Sequence, residues 1–370
     1  MSPDRPDPIS RRRLLGLLGA GAATVAAGGV VGRRLIDERS TPTAGAPPGT
    51  QPPTTLAPTT QPPTSSSSTT STSTTSTTTE PETTTTTAPL DAVAPYQVVA
   101  DEVFVATKLA AVRAVEALVT YRPGELIEDP IARALVHATP DVDRAGLEAA
   151  AGLVFVRDAA SVGRVVYPQL GGLDPHDDPT TGSVMVVVEQ RVRDGVGDRA
   201  HTRCIDVRVR READGWRVEG VADASGWPSD RPVAVGEQAA RVLDHPAIDL
   251  PDSARWDIHD GIVDDRILRE LADLADRVPV GVTTCRRGHP VNVFATPNLS
   301  AHTVGRAVDL WAIDGVPVVQ QRAEGSAAHA VARDLFDGGR VSRLGAPWAF
   351  GPGSWTDPVH LDHLHLGVSA

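Results

Sequence analysis

The chain is almost without lysine: among 35 basic residues in 370, Lys108 is the only one that is not arginine. Positive charge is also outnumbered, 35 basic against 47 acidic residues, giving a formal net charge of -12 and an isoelectric point near 5.4. Such a surface excludes nucleic acid as a partner and is repelled by anionic lipid headgroups. The lack of lysine itself reads as the codon bias of a high-GC genome. Cysteine is scarce as well. Cys204 and Cys285 are the only two, fall in different segments and lack the spacing of a cysteine metal site. They read as small unpaired core residues, with a cross-link in an oxidising compartment as the alternative.

What the chain does have begins at the N-terminus. Ser10-Arg11-Arg12-Arg13-Leu14-Leu15 precedes an Ala/Gly-rich apolar run from Leu14 to Val31. The pattern resembles a twin-arginine export signal, with Leu where Phe often stands. Its mild hydrophobicity suits a signal, and Val25-Ala26-Ala27 offers small residues for cleavage. At roughly 18 residues the run is also just long enough for an N-terminal membrane anchor. Residues 1–32 are therefore expected to direct export. From 33 to 90 Thr, Ser and Pro dominate and no apolar period recurs, so the segment cannot bury enough surface to offset chain entropy. It reads as an extended, disordered stalk reaching into the cell wall, dense enough in hydroxyls for O-glycosylation.

Order is expected from residue 91. Val98, Val99, Phe104, Leu109, Val112, Val115 and Val119 recur at helical spacing, and a second helical region runs from 130 to 151, broken at Thr139-Pro140. Four strand signals follow, at 163–167, 184–193, 202–211 and 216–222. In the third, Ile205, Val207 and Val209 alternate with Asp206, Arg208 and Arg210, which predicts one buried and one wet face. Helices followed by an antiparallel meander make an α+β layer. By element order, residues 91–226 resemble the nuclear-transport-factor-like cone of cystatin type, which implies a binding or spacing module of unknown ligand. His137, His176 and His201 are isolated and read as surface residues.

Residues 227–253 are expected to form a linker with a short helix, and 254–370 a second α+β domain with a mostly antiparallel sheet. Ile267, Leu271, Leu274 and Val278 form one stripe of a helix that Asp264 or Asp265 can cap. Strands are predicted at 280–284, 291–296, 310–313 and 364–368, and a helix over 326–337 ends at Gly338-Gly339.

The decapeptide from Ser300 to Asp309 carries the chemistry. Ser300, His302, Gly305, Ala307 and Asp309 fit the pattern Ser-x-His-x-x-Gly-x-Ala-x-Asp, and a distal Asp362-His363-Leu364-His365 follows. Two imidazoles and a carboxylate are a common catalytic zinc set, with water in the fourth position. Gly305 eases a bend that brings ligands seven residues apart together. The pattern resembles the zinc D-alanyl-D-alanine carboxypeptidase and dipeptidase family, whose fold group includes lysostaphin-type endopeptidases and the hedgehog signalling domain. That resemblance implies Zn2+ held by His302, Asp309 and His365.

The resemblance leaves two candidates for the base. The carboxypeptidases place Glu three residues before the last ligand, where this chain has the shorter Asp362. The endopeptidases use a His two residues before it, where His363 stands. On a regular strand Asp362 and His363 face opposite ways, so only one is expected to act, and His363 shares the face of His365. Ser300 is a candidate to bond locally or orient a ligand, and Arg287 or Arg286 to bind a substrate carboxylate. His289, His360, Trp348 and Trp355 are further cleft candidates, while Trp311 suits the core. The expectation is an exported metallopeptidase, a hydrolase acting on peptidoglycan stem peptides or crosslinks. A wall-associated zinc protein without turnover is the alternative, and a cone that binds a lipid or protein is a third.

Overall fold

Two sheets lie against each other. The computed structural model describes residues 90–229 and 234–370, so the expected signal and nearly all of the stalk lie outside the described residues. No helix among the described residues is long and apolar enough to cross a membrane. The first layer holds helices α1 (Val105–Val119), α2 (Glu128–Leu135) and α3 (Arg144–Val154), then strands β1 (Ala160–Leu173), β2 (Thr181–Arg193), β3 (Asp198–Glu212) and β4 (Gly215–Asp223). The four strands form an antiparallel meander in the order β1-β2-β3-β4. Helix α1 begins only at Val105, behind Phe104 in a left-handed conformation, so residues 98–104 do not extend it.

The second layer follows with α4 (Glu237–Leu243), β5 (Ile248–Asp249), α5 (Asp252–His259), α6 (Asp265–Ala275), β6 (Val280–Thr284), β7 (Ala307–Ile313), β8 (Val316–Pro317), α7 (Ala327–Asp337), β9 (Arg343–Gly345), β10 (Ser354–Trp355) and β11 (Leu364–Gly367). Its sheet order is β10-β9-β11-β7-β6-β5, with β8 on β7, and only the β9–β10 and β5–β6 pairings are parallel. Asp264 caps α6 by accepting from the Arg266 N–H, and Ile267, Leu268, Leu271 and Leu274 are buried. The expected strand over 291–296 is not formed. Val293 N–H bonds back to Asn298 O, Ala295 has φ 56°, and Val291 and Val293 are exposed, so the segment turns.

Each layer has its own apolar core, and both belong to one compact unit. Strand β3 departs from the expected wet face: Asp206 is fully buried, bonded to the Ser183 hydroxyl and the Arg208 guanidinium. The second layer covers that face. Ser253 Oγ accepts from Cys204 N–H, and Gly288, at φ 78°, approaches so closely that a Cβ would lie 2.3 Å from Cys204 O. Trp311 of β7 stacks on Tyr167 of β1 at 5.2 Å. Cys204 and Cys285 are both buried and unpaired, the small core residues their spacing predicts.

Candidate metal centre

Local geometry gathers the decapeptide. Ser300 Oγ accepts from the His302 N–H at 3.3 Å and opens a single 3-10 turn, His302–Val304. Gly305 closes it at φ 71° by donating to His302 O, and a Cβ there would lie 1.8 Å from Ile262 O. No side chain fits that position. The chain then enters β7, whose third residue is Asp309, and the antiparallel register sets Asp309 directly opposite His365 of β11.

His302 Nε2, Asp309 Oδ1 and His365 Nδ1 form a nearly equilateral triangle with sides of 3.1, 3.1 and 3.0 Å. The His302 Nδ1 lies 2.7 Å from Cys285 O, to which it must donate, so in the neutral ring it is Nε2 that carries the lone pair. That lone pair faces a carboxylate oxygen, which also only accepts. Two acceptors 3.1 Å apart repel unless a positive charge lies between them, which either a proton on Nε2 or a metal ion supplies, and the donor set has the chemistry to hold the latter. Zn–N bonds of 2.0–2.1 Å would place tetrahedral ligand atoms about 3.3 Å apart, close to what is seen. Burial, against weaker pulls from Asp309, lowers the His365 imidazole to about 4, so it is neutral and able to coordinate at neutral pH.

His289 was ambiguous in the sequence and proves adjacent. Its ring stacks on that of His302 at 3.9 Å and 14°, and His289, His302 and Asp309 offer atoms within 4.8 Å of one another. Of the two triads that share His302 and Asp309, the one with His365 is tighter, and its rings meet at an angle of 63° rather than lying parallel. His289 therefore flanks the set. Its Nδ1 lies 2.7 Å from Pro290 O, and burial keeps the ring neutral.

Asp362 and His363 do not take opposite faces. Both precede β11, and Asp362 Oδ1 lies 2.7 Å from His363 Nδ1. The other carboxylate oxygen, Oδ2, accepts from Leu170 N–H at 3.0 Å and from Lys108 Nζ at 2.6 Å. Lys108 also pairs with Glu102, and its side chain and that of Asp362 are nearly solvent-free. Burial would raise the Asp362 carboxyl, but Lys108 and His363 hold it below the usual carboxylate range. Burial would lower His363, but the Asp309 and Asp362 carboxylates outweigh it and hold the imidazole above its ordinary value. His363 Nε2 then points toward the triangle, 3.9 Å from Asp309 Oδ2.

Other candidates divide. Arg287 is not free for substrate: its guanidinium holds Asp257 at 2.7 Å and Asp260 at 2.6 Å, bracing the loop after β6. Arg286 is exposed; its backbone N–H donates to Asp257 and its carbonyl accepts from His289 N–H. The Ser300 hydroxyl serves the turn. Trp355 and His360 lie beside His365, while Trp348 packs with His329 and Phe350 away from it. Sequence reading missed Lys108 and Gln169, which reach the site from the first layer. The one signal was the solitary lysine in a chain that otherwise uses arginine.

No family model matches the chain, and no curated protein matches it. A solved structure, an IcmL-like type IV secretion system protein from Legionella pneumophila, is 12% identical over 36% of this chain and 98% of its own, with a TM-score of 0.28.

Proposed function

We propose that the chain is an exported zinc metallopeptidase that hydrolyses amide bonds in peptidoglycan stem peptides or crosslinks, built as a cone-like layer carrying a peptidase of the D-alanyl-D-alanine type. The observation that carries this reading is the triangle of His302, Asp309 and His365 with His363 at its edge. When bound, a zinc ion supplies a Lewis acid that polarises a carbonyl and acidifies a water. The residues of the chain do the rest. Asp362 accepts from His363 Nδ1, so the neutral ring presents its lone pair at Nε2 toward the cluster. There it takes the proton from the attacking water and returns it to the departing amine. With Arg287 engaged, recognition of a terminal carboxylate falls to Arg286; cleavage inside a crosslink requires none.

The envelope substrate is supported by the export signal and stalk read from residues 1–90. Burial of His302, Asp309 and His363 favours a second reading, a wall-associated zinc protein without turnover. Mass spectrometry of purified muropeptides separates the two. The peptidase reading expects new stem-peptide fragments that vanish with chelator and return with zinc. Intact muropeptides after incubation with zinc-loaded protein would favour the binding reading. Loss of a single terminal residue would mark carboxypeptidase action, and halved dimers an endopeptidase.

A further inference from the structure

We propose that Gln169, on the first sheet, is a positioning residue of the metal centre that confines Asp309 to one coordinating oxygen and so sets the site's affinity and its preference for a tetrahedral ion. This rests on the reading of His302, Asp309 and His365 as ligands. Gln169 is fully buried, and its Nε2 donates to Asp309 Oδ2 at 2.8 Å. The opposite oxygen, Oδ1, is the one that meets His302 and His365.

Chemistry alone fixes the amide's orientation. A carboxylate accepts only, so the NH2 of Gln169 must face Asp309 and its oxygen must face a donor. The Thr283 hydroxyl of β6 is that donor. The side chain thus crosses from β1 to the second sheet and is satisfied at both ends there. Leu170, the next residue, donates its N–H to Asp362. Two consecutive residues of β1 therefore hold the two carboxylates of the site, Asp309 on the ligand side and Asp362 behind His363. The first layer is part of the centre rather than a spacer for it.

With Oδ2 engaged by an N–H, turning both oxygens onto one ion would break that bond. Large oxygen-seeking ions such as Ca2+ take six to eight ligands and often both oxygens of a carboxylate, whereas zinc is satisfied by four. Gln169 thus disfavours the former. Hydrogen-bond partners of ligating groups typically carry 10–100-fold in metal affinity.

The test uses the full chain stripped with chelator and titrated with Co2+, Zn2+ and Ca2+. Wild type should give the intense visible bands of tetrahedral Co2+. Gln169→Leu should weaken those bands toward higher coordination, lower zinc affinity by about 10–100-fold, and raise Ca2+ affinity relative to zinc. Thr283→Val, which does not touch Asp309, should move all three readouts the same way by less, and it decides the matter if Gln169→Leu does not fold. An unchanged Co2+ spectrum with zinc affinity within about threefold, in Gln169→Leu or in Thr283→Val if that variant must decide, would overturn the proposal. Wild type that binds neither Co2+ nor zinc would instead remove the ligand reading on which it rests.

Discussion

His363→Ala should lower kcat on muropeptides by about 10²–10⁴ while leaving bound zinc at its wild-type level. The range is what a positioned general base contributes, and zinc is spared because His363 Nε2 stands 3.9 Å from Asp309 Oδ2, outside the triangle of donors. Asp362→Asn should cost less, since Asp362 acts through His363 and an amide oxygen can still accept from Nδ1. The double variant should be no slower than His363→Ala alone, because residues that act as a unit are not additive. Steady-state kinetics with metal analysis on the same samples checks all three. Full hydrolysis in the double variant would sink the assignment of the base.

Lys108→Met should destabilise the fold by about 3–5 kcal/mol, the range for breaking a buried ion pair from one side. The variant strands Asp362, whose side chain is wholly buried, and Glu102, whose Oε2 already has no hydrogen-bond partner. The size of the loss should depend on pH with a definite sign. The folded pKa of Asp362 lies below its unfolded value, so the pair's contribution is fully present above the ordinary carboxylate range. It is lost as pH falls through the lowered value, and the gap between wild type and variant should narrow in acid. Urea unfolding followed by circular dichroism at pH 7 and at progressively lower pH measures it. A gap that is flat or widens in acid would mean that Lys108 does not act through Asp362.

Lys108 and Gln169 mark the limit of what the sequence makes legible. His302, Asp309 and His365 could be named as candidates because one decapeptide and one short terminal segment resemble a known ligand pattern, and the β7–β11 register does bring the three side chains together. Lys108 and Gln169 could not, because they lie on α1 and β1 and meet the site only through packing of the layers. Strand β3 failed for a related reason. Its alternation of Ile205, Asp206, Val207 and Arg208 is period two, but Asp206 is buried, bonded to Ser183 and Arg208, and Cys204 on the same face bonds to Ser253 of α5, so that face is covered rather than wet. A two-fold period assigns faces and says nothing of what covers them. The missing strand at 291–296 shows the reverse error. Val291 and Val293 have strand propensity, yet no neighbouring strand receives them and they stay in solvent. The expectation that Asp362 and His363 face opposite ways held only for a regular strand; both lie just before β11, outside its pleat, and there they bond to each other.

If His302, Asp309 and His365 together hold one metal ion, metal analysis of the purified full chain will count it. Wild type, loaded with zinc and freed of excess, should carry one equivalent per chain. Asp309→Ala should carry almost none while keeping its fold, and His289→Ala should keep nearly all. Full zinc in Asp309→Ala, or its loss in His289→Ala with His365→Ala unaffected, would show that these three residues are not the ligands.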